Sequence, residues 1–367
     1  MKKERDLKAE ALGVFEGDKT VVVGLSDKIY YFVNSGNYAL NMALSGIFHG
    51  GWSGGTVNEV FGDPSTGKSI LFQRLIAAIQ RGEIFVGPEF IKLIEAAAGI
   101  AILDDTEKVY GEQFCKMLGI ATDEIVQLLS TKTVERHFEQ AEEKVTKIRK
   151  VSKKIPIGVI LDSIAQLSTE HEMETDLKKN DMTKAKKVHA AMRKYSDFIS
   201  ENNLLYMISN HVISNVGVMF GPTKVPKGGS GLAFQSSVRV DLNYKKRFVR
   251  NIIETFEVGK RGDVYGVKVL ADVIKNKVTA PFKYAILDIY YDQGIDPYSG
   301  LFDYFFRQDM ISMADKKKKN EDEDEAPTKN PKDFDERAAR EKAEKAKAFT
   351  FEGIEGEIFK RDDFDEF

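Results

Sequence analysis

The segment GDPSTGKS, from Gly62 to Ser69, constrains the fold more than any other feature of this chain. It fits the pattern G-x-x-x-x-G-K-S, it follows a strand-like apolar run that starts at Thr56, and it opens a run of helical period that ends at Arg81. A glycine-rich loop between a strand and a helix can hold phosphate with its backbone N–H groups and with the helix N-terminus. The segment therefore predicts a nucleotide-phosphate site, and the alternative is a glycine turn that only precedes a helix.

The residue types of this segment fit phosphate chemistry. Gly62 and Gly67 let the backbone wrap around phosphate, Lys68 can reach the β- and γ-phosphates, and the Ser69 hydroxyl can ligate magnesium. We therefore expect ATP and Mg²⁺ as cofactors. The expected nucleotide contacts are Gly62, Asp63, Pro64, Ser65, Thr66, Gly67, Lys68, Ser69 and Ile70.

Short apolar runs that end in polar or glycine residues alternate with longer runs of helical period. These runs are TVNEVFG (56–62), GIAILDD (99–105), PIGVILD (156–162) and LLYMIS (204–209). Such an alternation predicts an α/β fold with a mostly parallel sheet that is covered on both faces. Three further strand-like segments, SVRVDL, VYGVKVLADVI and KYAILDIYY, indicate an antiparallel extension after Gln235.

Composition excludes several classes of protein. The chain has 367 residues, a net charge of −3 and a single cysteine, Cys115, so no disulfide can form within it and a reducing compartment fits. No apolar run approaches the length of about 18 residues that a membrane span needs, and the charged N-terminal residues do not resemble a signal peptide. We expect a cytoplasmic protein with no membrane partner.

Three polar residues follow predicted strands at the edge where ligands bind in open α/β sheets. Asp162 could hold the magnesium shell opposite Ser69, although many strands end in aspartate. Glu107 could orient an attacking water, or it could be an acid favoured by a helix start. His211 could sense the γ-phosphate, although a lone histidine is more often a structural hydrogen-bonding residue.

The order of several segments resembles the RecA family of DNA strand-exchange ATPases, and most closely its phage branch, the UvsX recombinases. The likeness covers roughly residues 37–310. It rests on GDPSTGKS, LDDTE, ILDSIAQL, DMTKAKKVHAAMRK, ISNHV, GVMFG with KGGSGLAF and SSVR, IKNKVTAPFK and GIDPYSGL. GVMFG with its glycines and KNKVTAPFK are far more specific than the phosphate loop, which many ATPases share.

The resemblance implies roles for individual residues. Glu107 would activate water, and His211 would occupy the γ-phosphate sensor position, where cellular members carry glutamine. Lys275 and Lys277 would reach the ATP of the neighbouring subunit, as an arginine finger does. The resemblance therefore implies five catalytic residues: Lys68, Glu107, His211, Lys275 and Lys277. Phe114 stands at the family's adenine-side tyrosine position, and Pro281 would also lie near the adenine.

The resemblance also explains an odd loop in which large apolar residues stand among glycines. Two loops of the family hold DNA, and here they would run from about Gln166 to Asp181 and from about Val212 to Leu232. Glycine-rich backbone can grip phosphates, and an apolar residue can wedge between unstacked bases, with Val216 at that position. The implied DNA-binding residues are Lys186, Arg193, Val216, Gly217, Val218, Met219, Gly228 and Gly229.

These features predict three parts. Residues 1–36 would be a polymerisation segment, 37–314 the ATPase and DNA-binding core, and 315–367 a charged, largely disordered acidic tail with a net charge of −5. Leu270 and Asp272 replace a basic pair that cellular members place before KNK, so secondary capture of duplex DNA is in doubt.

We expect a DNA-dependent ATPase that forms helical filaments of itself on single-stranded DNA and exchanges strands with duplex DNA. Single-strand-binding and loading proteins would be further partners, and the location would be the host cytoplasm if a phage encodes the chain. A ring-forming helicase of the same fold would not need GVMFG and its glycines. A non-catalytic filament mediator would not need Glu107 or the two lysines.

Overall fold

The computed structural model of the protein describes residues 31–85, 98–174, 183–214, 224–227, 230–242, 251–254, 264–308, 311–313 and 349–351. The strands are β1 (Phe32–Val33), β2 (Trp52–Ser53), β3 (Thr56–Gly62), β4 (Ile84–Phe85), β5 (Ile100–Asp105), β6 (Val126–Gln127), β7 (Ile157–Asp162), β8 (Leu204–Ser214), β9 (Lys224–Pro226), β10 (Val238–Asp241), β11 (Asn251–Glu254), β12 (Val264–Asn276), β13 (Lys283–Tyr290), β14 (Gly294–Ile295), β15 (Ile311–Met313) and β16 (Phe349–Phe351). The α-helices are α1 (Tyr38–Ser45), α2 (Lys68–Gln80), α3 (Glu112–Met117), α4 (Val134–Val151), α5 (Glu170–Glu174), α6 (Thr183–Glu201), α7 (Ser230–Gln235) and α8 (Leu301–Arg307).

One large sheet organises the described part of the chain, in the order β14-β13-β12-β10-β3-β8-β7-β5-β6. The pairings from β10 to β6 are all parallel, whereas β12, β13 and β14 join antiparallel at one side and β11 pairs antiparallel with β12. The predicted α/β fold, with a mostly parallel sheet and an antiparallel extension, is confirmed.

The parallel strands are buried on both faces because successive side chains of a strand point to opposite sides. On β5, Leu103 joins the apolar cluster that contains α2, whereas Ile102 joins the cluster that contains α4 and α6. On β8, Met207 and Ile208 divide between the two clusters in the same way. This two-sided burial explains why these strands appear in the sequence as nearly continuous apolar runs.

The register brings the predicted polar residues to one edge of the sheet. Gly62 at the end of β3 lies opposite His211 on β8, and Asp105 at the end of β5 lies opposite Asp162 at the end of β7. These strands are parallel, so their carboxyl ends meet at the same edge, where open α/β sheets bind ligands.

The second predicted DNA loop is shorter than the sequence indicated. β8 continues past Ser209 to Ser214, and its end pairs antiparallel with β9, with Val212 opposite Pro226. The β-branched Val212 and Ile213 favour this extended pairing. The start of the predicted loop is therefore part of a β-hairpin formed by β8 and β9. Its predicted end, Leu232, lies inside α7. Residues 215–223, 228 and 229 lie outside the described residues.

Other predicted segments are only partly described. The first predicted DNA loop contains the short helix α5, and residues 175–182 lie outside the described residues. Within the predicted tail, β16 pairs antiparallel with β15. Most of the predicted polymerisation segment, residues 1–30, lies outside the described residues, as does the tail apart from β16. No helix in the described part of the chain is both long enough and apolar enough to cross a membrane.

Candidate nucleotide-binding and catalytic site

The backbone from Gly62 to Lys68 forms a tight turn that needs glycine at Gly67. Gly67, which precedes α2, has a φ of +86°, and a Cβ there would lie 2.5 Å from Cδ1 of Ile289. Ser65 also has a positive φ of 59°. No side chain caps the N-terminus of α2, and its first turn contains no acidic residue. The amides of this turn therefore suit an anion better than a protein partner.

Lys68 lies against the loop with 6% of its surface exposed, and its Nζ donates to the carbonyl oxygens of Gly62 at 3.2 Å and Asp63 at 2.9 Å. Burial lowers the pKa of Lys68, although the carboxylates of Asp162, Glu107 and Asp63 act in the opposite direction. A buried ammonium is favoured by added negative charge. The loop and this lysine therefore fit nucleotide phosphates.

Asp162 is 1% exposed at the end of β7 and accepts hydrogen bonds from two hydroxyl groups. Ser209 donates to Oδ1, and Tyr110 donates to Oδ2 at 3.1 Å. Burial raises the pKa of Asp162, and the Ser209 bond and the nearby Ser69 hydroxyl partly oppose this. The Ser69 hydroxyl and the Asp162 carboxylate thus lie together, as the sequence predicts for magnesium ligands.

This oxygen pair suits Mg²⁺ more than a metal that needs a full protein cage. In the described ranges, no group of three or more His, Cys, Asp or Glu residues is arranged to hold a metal ion. Mg²⁺ is commonly bound by one or two protein oxygens, with phosphate oxygens and waters completing its shell. Ser69 and Asp162 fit such a nucleotide-dependent ion.

Glu107 and His211 meet at the same edge. The Oε1 atom of Glu107 lies 2.6 Å from Nε2 of His211 and accepts a short hydrogen bond from the Ser163 hydroxyl. Burial alone would raise the pKa of Glu107, but the bonds from Ser163 and His211, with the charges of His211 and Lys68, shift it downward. Glu107 is therefore held ionised in a fixed position, as a base requires.

Backbone contacts hold the Glu107 turn against the end of β7. The Thr106 hydroxyl donates to the Ser163 carbonyl at 2.9 Å and accepts from the Ser163 N–H at 2.7 Å. Asp105 accepts from the N–H groups of Val109 and Tyr110, both at 3.1 Å. These bonds make the turn part of the rigid sheet edge.

Three residues of this site were missed in the sequence, namely Tyr110, Ser163 and Ser209. Ser163 directly follows Asp162, and Ser209 ends the run LLYMIS, so the sequence shows that both serines lie at the ends of predicted strands. Hydroxyl residues are common at such positions, however, and only the register between strands shows which of them contact the carboxylates.

Lys277 lies far from the phosphate loop of its own chain. Its N–H donates to Ser237, whose own N–H donates to Val57, so Lys277 is level with the start of β3. Val57 and Gly62 are five residues apart, which is roughly 16 Å along a strand. An extended lysine spans only about 6 Å from its Cα at ordinary bond lengths. Lys277 therefore cannot reach its own loop from this edge.

Lys275 and Pro281 lie on the same side of the molecule. Lys275 pairs with Arg239 in the sheet register, and its Nζ donates to the carbonyl oxygens of Ala233 and Phe234, both at 2.8 Å. Pro281 is exposed in the turn between β12 and β13, beyond Lys277. The half-buried Phe114 instead lies on α3, which follows the Glu107 turn. A single chain therefore does not bring Phe114 and Pro281 together.

The predicted DNA-binding residues are only partly described. Lys186 and Arg193 are exposed on α6 and stand seven residues apart, which places them on one side of that helix. Lys184, one turn before Val188, donates from Nζ to the Ala165 carbonyl at 3.0 Å, near the base of the first predicted loop. Val216, Gly217, Val218, Met219, Gly228 and Gly229 lie outside the described residues.

Comparison with known proteins gives consistent matches. Residues 17–296 match the family model described as the RecA N-terminal domain. Curated relatives named Protein RecA include those of Treponema denticola, 30% identical over 284 residues, Borreliella burgdorferi, 30% over 283, and Enterococcus faecalis, 31% over 284. Each alignment covers 77% of this chain. The chain spans 60% of the Treponema protein's length, 69% of the Borreliella protein's and 71% of the Enterococcus protein's.

Proposed function

Because this chain belongs to the RecA family, we propose that it is an ATP-dependent recombinase that assembles on single-stranded DNA and catalyses homologous pairing and strand exchange. One geometric observation supports this most directly. Lys68, Asp162, Glu107 and His211 meet at the carboxyl edge of the parallel strands, whereas Lys275 near the end of β12 is level with the middle of β3 and Lys277, just past β12, is level with the start of β3. The two sets can act on one nucleotide only if they come from two subunits.

ATP with Mg²⁺ supplies the γ-phosphoryl group that is transferred to water. The loop amides and Lys68 would hold the phosphates, and Ser69 and Asp162 would hold the ion. Glu107, kept ionised by its lowered pKa, orients the attacking water and accepts its proton. His211 bonds Glu107, and a phosphate oxygen could compete for its Nε2, which would make the end of β8 sensitive to the γ-phosphate.

Head-to-tail packing would bring the end of β12 and the turn to β13 of one subunit to the phosphate loop of the next. Lys275 and Lys277 would then stabilise charge on the neighbour's phosphates, and Pro281 would lie against the neighbour's adenine, with Phe114 on the nucleotide's own subunit. An interface between two different surfaces repeats as a ring or as an open helix, depending on whether its rotation closes. The family favours the helix.

We propose that DNA lies along the two loops. Lys186 and Arg193 would meet its phosphates, the glycine backbone at residues 217, 228 and 229 would grip its chain, and Val216 would separate neighbouring bases, with Val218 and Met219 beside it. Inserting an apolar wedge offsets part of the unstacking cost, which is a few kcal/mol per step. Single-stranded DNA would bind first and duplex DNA second.

We also propose that the chain belongs to the phage branch, with roles in recombination, repair and recombination-dependent replication in the host cytoplasm. The support is His211 at the sensor position, together with DMTKAK and GIDPYSG. Single-strand-binding and loading proteins are the proposed helpers.

Electron microscopy with single-stranded DNA and a non-hydrolysable ATP analogue tests the proposal. A helical filament is expected, while closed rings would indicate a ring-forming motor and no assembly would contradict the proposal. Lys68→Ala is the control, because loss of phosphate binding should abolish both nucleotide-dependent assembly and ATP turnover.

A further inference from the structure

A largely buried chain of hydrogen-bonded side chains crosses three neighbouring strands of the sheet, β8, β3 and β10. Asn210 on β8 donates from Nδ2 to Oε1 of Glu59 on β3 at 3.1 Å. Oε2 of Glu59 accepts from Nε of Arg239 on β10 at 2.5 Å. Arg239 lies opposite Glu59 on one side and opposite Lys275 of β12 on the other. The hydrogen-bonded chain thus runs from Asn210, the neighbour of His211, to Arg239, which lies beside Lys275 in the sheet register.

Glu59 is an unusual residue for the centre of a buried parallel strand. It is 1% exposed, and both of its oxygens are hydrogen-bonded, one to Asn210 and one to Arg239. The Arg239 guanidinium also lies over the Phe61 ring at 4.8 Å from its centroid. A buried ion pair often adds little stability compared with an apolar replacement. A role in positioning explains its place here better than stability does.

The side-chain amide of Asn210 makes hydrogen bonds to three residues. Its Nδ2 also donates to the Lys227 carbonyl at 2.9 Å, at the end of β9, and its Oδ1 accepts from the His211 N–H at 2.9 Å. It therefore contacts Glu59, the base of the second predicted DNA loop and the sensor residue together.

Lys275 responds electrostatically to this chain. The pKa of Lys275 is lowered to about 8, chiefly by burial and then by the positive charges of Lys277, just past the end of β12, and Arg239 on β10, while the charge of Glu59 on β3 acts in the opposite direction. The adjoining helix α7 presents the Ala233 and Phe234 carbonyls, and Lys283 of β13 lies opposite Val273. Both charges of the ion pair therefore act on Lys275, in opposite directions.

We propose that Asn210, Glu59 and Arg239 are positioning residues that link the γ-phosphate end of β8 and the base of the DNA loop to Lys275. The occupancy of one subunit's own nucleotide site would thereby set the charge and position of the lysine that it offers to its neighbour. This inference rests on the proposed function for the roles of His211 and Lys275.

Competitive labelling of lysines with acetic anhydride across a pH series, read by mass spectrometry, measures the titration of Lys275 directly. Arg239→Met removes a positive charge and should raise the pKa of Lys275 by roughly half a pH unit or more, whereas Glu59→Gln should lower it. Lys268, further along β12 and paired with Asp288, is the internal control and should not shift. If Arg239→Met fails to fold, Arg239→Gln removes the same charge, keeps a hydrogen-bond donor for Glu59 and should shift the pKa of Lys275 in the same direction. Unchanged titration of Lys275 in the folded variants would overturn the charge link.

A second measurement tests the coupling without requiring catalysis. The full chain is labelled without DNA, at a concentration where light scattering shows no assembly, with and without the ATP analogue and Mg²⁺. The analogue should change the Lys275 titration of the wild type, and Asn210→Ala should bind the analogue but lose this change. An equal change in both proteins, or no change in the wild type, would overturn the coupling. Failure of the wild type to bind nucleotide would instead contradict the proposed function.

Discussion

The contacts of Glu107 would hold the proposed base in place. Ser163 and His211 both bond its Oε1 atom, which fixes the rotation of the carboxylate and keeps it ionised. A carboxylate that is bonded in this way is a weaker base than a free one, but it is correctly placed without further rearrangement.

Glu107→Gln should separate binding from chemistry. The amide keeps the size of the side chain but cannot accept the proton of water, so DNA-stimulated hydrolysis should fall by roughly 10²–10⁴-fold. Nucleotide binding and filament assembly should persist, as measured by fluorescent-nucleotide titration and microscopy. Glu112→Gln, on the exposed start of α3, is the matched control. Normal turnover in Glu107→Gln would contradict the assignment.

Ser163→Ala should alter the pH dependence of hydrolysis. The Ser163 bond lowers the pKa of Glu107, so its loss should raise that pKa towards or above the ordinary value of 4.5. Glu107 works only when ionised, and activity is lost as pH falls through its pKa. The acid limb of kcat/KM should therefore move to higher pH in the variant, and Ser196→Ala on α6 should leave it in place. An unmoved acid limb would mean that Ser163 does not tune Glu107.

The turn from Gly62 to Ser69 can be located from the sequence alone, whereas the side chains that lie around it cannot. Strand, glycine pattern and helix together specify Gly62 to Ser69, because the local chain alone builds that turn. The hydroxyls around Asp162 come from distant parts of the chain and depend on strand register. The charged Glu59 interrupts the apolar run TVNEVFG, so the sequence alone indicates that this residue needs a buried polar partner. It does not indicate that the partners are Asn210 and Arg239.

At the scale of elements, the sequence predicted the central strands to within a residue at most ends. β3 has the predicted bounds, and β5 and β7 each begin one residue later than predicted. The extension of β8 was missed because its last residues are paired only with β9, which lies across a glycine-rich segment. Strand pairing that depends on a distant segment has little effect on the local pattern of apolar and polar residues.

Helix α4 begins at a side-chain cap that offers a test of the fold. The Thr133 hydroxyl accepts from the Arg136 N–H, and α4 then buries Phe138 and Val145 on the sheet. Thr133→Ala should lower the free energy of unfolding by about 1 kcal/mol, measured by urea denaturation. Lys147→Ala, in an exposed pair with Glu143, should change the free energy of unfolding much less, because solvent screens such a pair. Equal losses would argue against the cap.

At the scale of the assembly, mixing two inactive proteins should restore activity. Lys275→Ala/Lys277→Ala protein keeps Glu107, and Glu107→Gln protein keeps both lysines. In a random equal mixture of a head-to-tail filament, roughly a quarter of the interfaces pair an intact base with intact lysines. DNA-stimulated hydrolysis should therefore recover to about a quarter of the wild-type rate. No recovery at any ratio would show that the lysines do not act between subunits.

The acidic end supplies a second test at this scale. Residues 352–367 carry seven acids and two bases, and they follow β16. If they compete with DNA for basic surface, truncation after Phe351 should tighten binding to fluorescent single-stranded DNA, most strongly at low salt. Truncation after Lys347 also removes β16 and separates the effect of charge from loss of that strand. If the truncated proteins and the full chain bind DNA with equal affinity and equal salt dependence, the acidic end does not compete with DNA, and partner recruitment or solubility would be its role.

The distance between Lys277 and its own phosphate loop affects how the rate of hydrolysis should depend on the number of subunits in a filament. If the two lysines act between subunits as proposed, each complete site in an open chain of n subunits needs a neighbour on one particular side, so only n − 1 sites are complete and one terminal subunit is idle. Hydrolysis per subunit should rise with oligonucleotide length as (n − 1)/n and level off on long DNA. A closed ring would have no idle end, and its rate per subunit would not follow that curve.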